Sequence, residues 1–320
     1  MMRIRLVVSS LLLVACAQTQ SSHLDPPAVA ADPRPPASAP PTPPVPPPSA
    51  AAPAPAPPAY DLAADLKARQ EEAVQDLGKR TETEVIEGVF LVAAPGGKGA
   101  LAGALDVTRR SLAAYFNGRF RTRPAKAISV YLFPNEKPYE AYCRRRWKEA
   151  CTSPYGSYSH LDRRIVMNVG PGIGTLTHEL VHPLVESDFP IAPDWINEGI
   201  ASLFEQFYLP RPGEIRGGKN WRWPRLIAAM RSKKEKELAT LPALFGMSDE
   251  VFRGEMESLN YATARYFCQW LDQKNLLWPF YQRWRDDFEN DPTGEKAFLK
   301  VVGKTPADAH EEWSRWVRSL

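Results

Sequence analysis

Cysteine and histidine are scarce in this chain of 320 residues, which has 4 of the first and 5 of the second. No two cysteines stand at C-x-x-C spacing, so a thiolate zinc site is not indicated. An excess of one charge is also lacking. Forty basic and 37 acidic side chains leave a formal net charge of +3, without the concentrated positive charge that binding a polyanion requires, so no nucleic acid is expected as a partner. The amino-terminal apolar run, Leu6 to Ala15, is too short to cross a bilayer as a helix. No internal repeat is evident. Proline, by contrast, is plentiful and unevenly spread: 16 of the 32 lie between Pro26 and Pro58, in a stretch otherwise mostly alanine. The folded part is therefore expected to begin near Tyr60. With 44% hydrophobic and 24% charged residues the chain is not wholly disordered. The remaining length, about 260 residues, suffices for a sizeable core without a structural metal.

Arg3 and Arg5 precede the apolar run, which then reads as a secretory signal segment. The run ends in Leu13-Val14-Ala15-Cys16, which resembles the bacterial lipobox, where small residues precede a cysteine that is acylated before the signal is cut away. The resemblance implies a signal peptide over residues 1–15 and a lipoprotein anchored to the membrane through Cys16. Residues 16–59 would follow as the lipidated cysteine and a proline- and alanine-rich tether, semi-stiff and on the order of 100 Å long from Pro26 to Ala59. Ala17 stands where an aspartate would favour inner-membrane retention, so similarity to that sorting pattern implies the outer membrane of a bacterial cell envelope. In that oxidising compartment Cys143 and Cys151, which bracket a short basic and aromatic segment, are placed to close a small loop as a disulfide. Cys268, in Tyr266-Phe267-Cys268-Gln269-Trp270, reads as a core thiol.

Period and composition divide the folded part. A strand-like run covers Thr83 to Ala93, a helix about Leu101 to Phe116, a strand Ala127 to Phe133, a helix Asn135 to Trp147, and a third strand Arg164 to Val169. Gly170-Pro171-Gly172-Ile173-Gly174 then breaks the chain, with Thr175 or Thr177 available to cap the next helix. Beyond Trp221 the segments read as helical, including Pro224 to Lys236, Tyr261 to Gln273 and Ala307 to Val317. The expectation is an α+β fold, a mixed lobe over 60–210 followed by an all-helical lobe over 211–320.

The chemistry is concentrated in His178-Glu179-Leu180-Val181-His182. Imidazoles at i and i+4 share one helix face a turn apart, as two ligands of one metal must, and Glu179 projects about 100° round the helix. From there its carboxylate can take a proton from water activated by the metal. Farther on, Asp194-Trp195-Ile196-Asn197-Glu198-Gly199 opens another helix, with Asp194 as a candidate cap and Glu198 as a candidate third ligand. Gly199, lacking a side chain, is expected to let this helix approach the one bearing the histidines.

Together the His-Glu-x-x-His and Trp-x-x-Glu-Gly helices resemble the gluzincin metallopeptidases of the peptidase MA-like superfamily, and the likeness extends from about Thr83 to the carboxyl end. It implies a zincin-like lobe, Zn2+ held by His178, His182 and Glu198, and Glu179 as the catalytic base. Tyr261 sits where that family often carries a tyrosine pointing into the cleft, and a phenol there can donate to the oxyanion. The implied activity is zinc-dependent hydrolysis of a peptide or protein substrate. Two other readings stand beside it: a non-catalytic zinc-containing envelope lipoprotein that binds a partner, and a zinc amidase acting on peptidoglycan peptides.

Pro183, directly after His182, should kink or end the helix, because its ring clashes with the Glu179 carbonyl and a hydrogen bond is lost. If the helix recovers, Glu186 is a candidate acceptor for an imidazole N–H. Asp188 lies where metzincin-like enzymes place a third ligand, but those need a glycine where this chain has Val185. His160, in a turn, borders the expected cleft, and Arg144 to Arg146 read as a solvated helix face. Arg164 to Val169 is the expected edge strand for an extended peptide.

Overall fold

The computed structural model describes residues 59–97, 99 and 101–320. Cys16, the signal segment and the tether up to residue 58 lie outside the described residues. The first part runs α1 (Leu62–Leu77), β1 (Glu82–Ile86), β2 (Phe90–Ala94), α2 (Ala102–Phe116), β3 (Ile128–Phe133), α3 (Glu136–Trp147), β4 (Gly156–Ser159) and β5 (Arg164–Asn168). Next come α4 (Gly174–Glu179), α5 (Val181–Asp188) and α6 (Asp194–Leu203), then a small hairpin of β6 (Phe207–Tyr208) and β7 (Arg216–Gly217). The remainder is helical: α7 (Trp223–Arg231), α8 (Leu241–Phe245), α9 (Asp249–Phe252), α10 (Glu257–Gln273), α11 (Leu277–Asp286), α12 (Glu295–Val302) and α13 (Pro306–Ser319). The fold is α+β, with a mixed sheet first and helices after.

The sheet order is β1-β2-β3-β5-β4, parallel at β2–β3 and β3–β5 and antiparallel at both ends. Its inner strands are apolar on both sides because both faces are covered. Val92, Val130, Leu132, Ile165 and Met167 face the main core, which continues through α2, α4 to α6 and the helical part. Ala93, Tyr131, Phe133 and Val166 face a smaller cluster built with Ala73 of α1 and Tyr139, Tyr142 and Cys143 of α3. One core therefore joins the mixed and the helical portions, from Ile86 to Val317.

Several details depart from the pattern-based expectations, whereas both expectations for the cysteines are met. The run from Thr83 to Ala93 is a hairpin, because Glu87 and Gly88 both take positive φ and turn the chain between β1 and β2. The strand Arg164–Asn168 is not an edge; β4, too short and polar to stand out by period, pairs with its outer side. Cys143 and Cys151 are joined in a disulfide that ties the end of α3 to the approach to β4, and Cys268 is free and fully buried. Neither Thr175 nor Thr177 caps α4: Thr177 Oγ donates instead to the carbonyls of Gly174 at 2.8 Å and Phe204 at 2.6 Å.

The close approach between α4 and α6 rests on Gly174 rather than Gly199. A Cβ at Gly174 would overlap the backbone carbonyl oxygen of Glu205 just beyond α6. At Gly199 a Cβ would come 2.9 Å from Cys268 Sγ and 3.1 Å from the Ala264 carbonyl oxygen, so that glycine seats α6 on α10. Backbone yields less readily than a side chain. Gly174→Ala is expected to lower stability by about 3 kcal/mol or more, and Gly199→Ala by about 1–3 kcal/mol. Urea unfolding of both variants checks the order, and equal losses would contradict it.

Candidate metal centre

The segment carrying the histidines bends where proline chemistry requires. Pro183 has no N–H to offer the carbonyl of Glu179, and the helix divides at Leu180, whose N–H turns back to Leu176 and His178. The break thus falls between the two histidines, one turn before the proline itself. Leu176, Leu180 and Leu184 remain on the buried side and hold both pieces against the core. On the opposite side the imidazole rings of His178 and His182 stand 5.0 Å apart at 75°.

From α6, Glu198 reaches the same place. One ligand atom from each of His178, His182 and Glu198 falls within 4.8 Å of the others. His178 Nε2 lies 3.3 Å from Glu198 Oε2, close to the spacing of about 3.3 Å between ligand atoms bound tetrahedrally at zinc distances. The contact is poorly aligned as a hydrogen bond, and Glu198 Oε2 is buried without a partner. Two imidazoles and a buried carboxylate oxygen with no partner form a donor set that fits Zn2+. Glu179, 7% exposed, brings Oε2 to 3.9 Å from His182 Nε2, beside the donor set.

Supporting groups surround these four side chains. His182 Nδ1 lies 3.1 Å from Asn197 Oδ1, which fixes the ring and leaves Nε2 toward the site. His178 Nδ1, buried and otherwise unpartnered, faces Glu205 Oε1 at 3.6 Å. Glu205 is in turn gripped by Arg222 at 2.7 and 2.9 Å and by Asn220 Nδ2 at 2.8 Å. The remaining oxygen of Glu198, Oε1, accepts from Arg253 at 2.8 Å. Arg253 also donates to Asp194 at 2.6 Å and to the Tyr261 hydroxyl at 2.5 Å. That contact uses a lone pair of the phenol, so its own proton is available to the cleft.

Burial alone would lower the proton affinity of His178, but the contact with Glu198 and the charges of Glu179, Glu198 and Glu205 overcome it and bring its pKa to about 9. Burial would raise the Glu198 carboxyl; the charge of His182, the contact with His178 and the Arg253 guanidinium hold it well below the usual carboxylate range instead. The phenol of Tyr261 is pushed up by burial and by Glu198.

The structure brings together His178, Glu179, His182, Glu198 and Tyr261. Three sequence-based assignments move. Asp194 is the first residue of α6 rather than its cap and binds Arg253. Glu186 accepts from the Tyr158 hydroxyl at 2.7 Å and not from an imidazole. Asp188, set aside as a third ligand from the sequence, is indeed committed elsewhere, to Arg285 and to the N–H groups of Arg121 and Thr122. Arg146 pairs with Glu72 and Asp162 rather than lying free on the helix face. His160 does border the cleft. Sequence reasoning missed Asn197, Glu205, Arg222 and Arg253 as supports. Asn197 adjoins Glu198 and Glu205 lies two helical turns beyond it, so periodicity offered a hint for both; nothing local marks Arg253, which arrives from α9.

A zinc ion held by His178, His182 and Glu198 would displace the proton of His178, so its binding to the protein at pH 7.5 should release about one proton per chain. Apparent affinity should rise about tenfold per pH unit from pH 7 and flatten above pH 9, where the imidazole is already neutral. Calorimetric titration in buffers of different ionisation enthalpy measures both; pH-independent binding without proton release would contradict the assignment. In comparison with known proteins, no family model and no curated protein matches the chain.

Proposed function

We propose that the chain is a zinc-dependent metallopeptidase of gluzincin type, carried on a bacterial envelope lipoprotein. The observation that carries the reading is the convergence of His178, His182 and Glu198 on one point, with the Glu179 carboxylate beside it, on the wall of an open cleft of about 870 Å³. A zinc ion held by these three side chains would polarise a substrate carbonyl and lower the pKa of water toward neutrality.

This chain's residues do the remaining work. Glu179 accepts the proton of the attacking water and delivers it to the leaving amine. Tyr261, oriented by Arg253, donates to the carbonyl oxygen as negative charge develops there. Asn197 and Glu205 hold the imidazoles in register. An extended peptide fits along β4, whose outer edge is unpaired among the described residues and whose Gly156, Ser157 and Tyr158 line the cleft. Among the described residues no helix is long and apolar enough to cross a membrane, and attachment is assigned to lipid on Cys16.

The test compares the full chain with its Glu179→Gln variant for bound zinc and for cleavage of a diverse peptide library. Both should hold one zinc per chain, with the variant's kcat lower by at least about a thousandfold. Zinc without cleavage by the parent would favour the non-catalytic or amidase reading, and absence of zinc would remove the site.

A further inference from the structure

Beyond Glu179 the cleft continues into a second arm of about 820 Å³, which shares His178, Glu179 and Tyr261 with the first. The two arms differ in character. The first passes Glu186, Asp194 and Asn197, whereas the second is walled by Pro154, Tyr155, Pro171 and Trp221. Trp221 is 69% exposed and Tyr155 50% exposed. A large aromatic surface left in water forgoes the burial that would otherwise stabilise the fold, and two such residues on one cleft mark a surface kept for a ligand.

Neither aromatic is on a loose loop. The residues on either side of Trp221 are both bound to the Glu205 carboxylate, and Asn220 also donates its backbone N–H to Tyr266 at 3.2 Å. The Arg222 guanidinium lies 4.2 Å from the centre of the Trp221 ring and 4.7 Å from that of Tyr261, so the indole is braced toward the metal donors. Tyr155 is held by its N–H to Ser153 Oγ at 3.2 Å and by its carbonyl, which accepts from Asn168 at 2.8 Å. A rigid aromatic surface loses little entropy on binding.

We propose that this arm is a specificity subsite that takes a large aromatic side chain of the substrate peptide, at a fixed position on one side of the scissile bond. The inference rests on the peptidase reading and supplies its substrate class. An apolar side chain is favoured over a sugar: of the charged groups that line the arm beside the shared His178 and Glu179, Glu205 and Arg222 spend their hydrogen bonds on each other, and Glu257 faces Arg253 at 3.8 Å.

Two measurements on the full zinc-loaded chain test it. In the first, cleavage of a peptide series differing at one position should favour Phe, Tyr or Trp over Ala, and Trp221→Ala should lower that kcat/KM ratio by about tenfold or more. Trp221→Phe should restore most of the selectivity, and zinc content equal to the parent's shows that the site survives both changes. A parent without aromatic preference, or a variant that loses activity equally on all peptides, overturns the proposal. In the second, Glu179→Gln protein is titrated with alanine pentapeptides with and without a central Phe. Tighter binding of the Phe peptide, abolished by Trp221→Ala, supports the subsite even if the parent cleaves nothing, which would be failure of the peptidase reading alone. Equal binding of both peptides, or Trp221-dependent binding of N-acetylglucosamine oligomers in their place, overturns the aromatic assignment.

Discussion

The burial of Glu198 is the constraint on which the rest of the site depends. A carboxylate only 6% exposed must be compensated in place, since an isolated buried charge would protonate. Compensation comes from three directions: His178 and His182 from the paired helices, and Arg253 from the end of α9. The same guanidinium binds Asp194 at the start of α6 and Tyr261 on α10. Because each partner belongs to a different element, the charge balance of one carboxylate fixes the relative placement of four segments. Glu205 repeats the arrangement behind His178, with Arg222 as its counter-charge and Trp221 and Asn220 drawn along with it.

Bringing α4 and α6 close enough for this requires backbone geometry that side chains alone do not supply. Gly174 admits the carbonyl of Glu205 at the start of α4, and Thr177 and Tyr115 clamp the same stretch, the phenol donating to the Thr177 carbonyl at 2.9 Å. Pro183 then relieves the Glu179 carbonyl of its helical partner, and the turn between the histidines opens at Leu180. An uninterrupted helix would stack His182 squarely over His178. The two rings stand at 75°, and Asn197 fixes the second ring from the side.

Much of this was legible in the chain itself, and the failures have physical causes. Segments with a strong period appeared where expected: α2, β3, α3 and α10 follow apolar spacings that burial demands. The donor set was legible because i, i+4 histidines on a helix and a Glu-Gly pair opening the next are local patterns. β4 was not, being four residues of Gly, Ser and Tyr whose strand character comes from pairing rather than composition. Gly199 was read as admitting the helix that Gly174 in fact admits, because a glycine shows in sequence that something approaches, never what approaches. Arg253 was invisible for a related reason: Glu198 and Asp194, which it binds, lie 55 and 59 residues away along the chain, and no local rule links them to it.

The two sheet edges are unequal, and the inequality bears on where a chain could add. At β1 the outward residues are charged and engaged: Glu84 forms a bidentate pair with Arg109, and Glu82 accepts from the Gly99 N–H. Charge and covering loops of this kind blunt an edge against further pairing. At β4 the strand carries only Gly156, Ser157, Tyr158 and Ser159, with no charge among them, and its approach is pinned by the disulfide and by the Tyr139 hydroxyl on the Ser153 carbonyl at 2.6 Å. The edge left able to accept another strand is therefore the one beside Glu179 and the histidines, and it is also the one whose backbone is fixed beforehand. A short, uncharged, rigid edge limits pairing to a few residues. That is enough to align one extended segment across the cleft, and too little to seed association between folded copies.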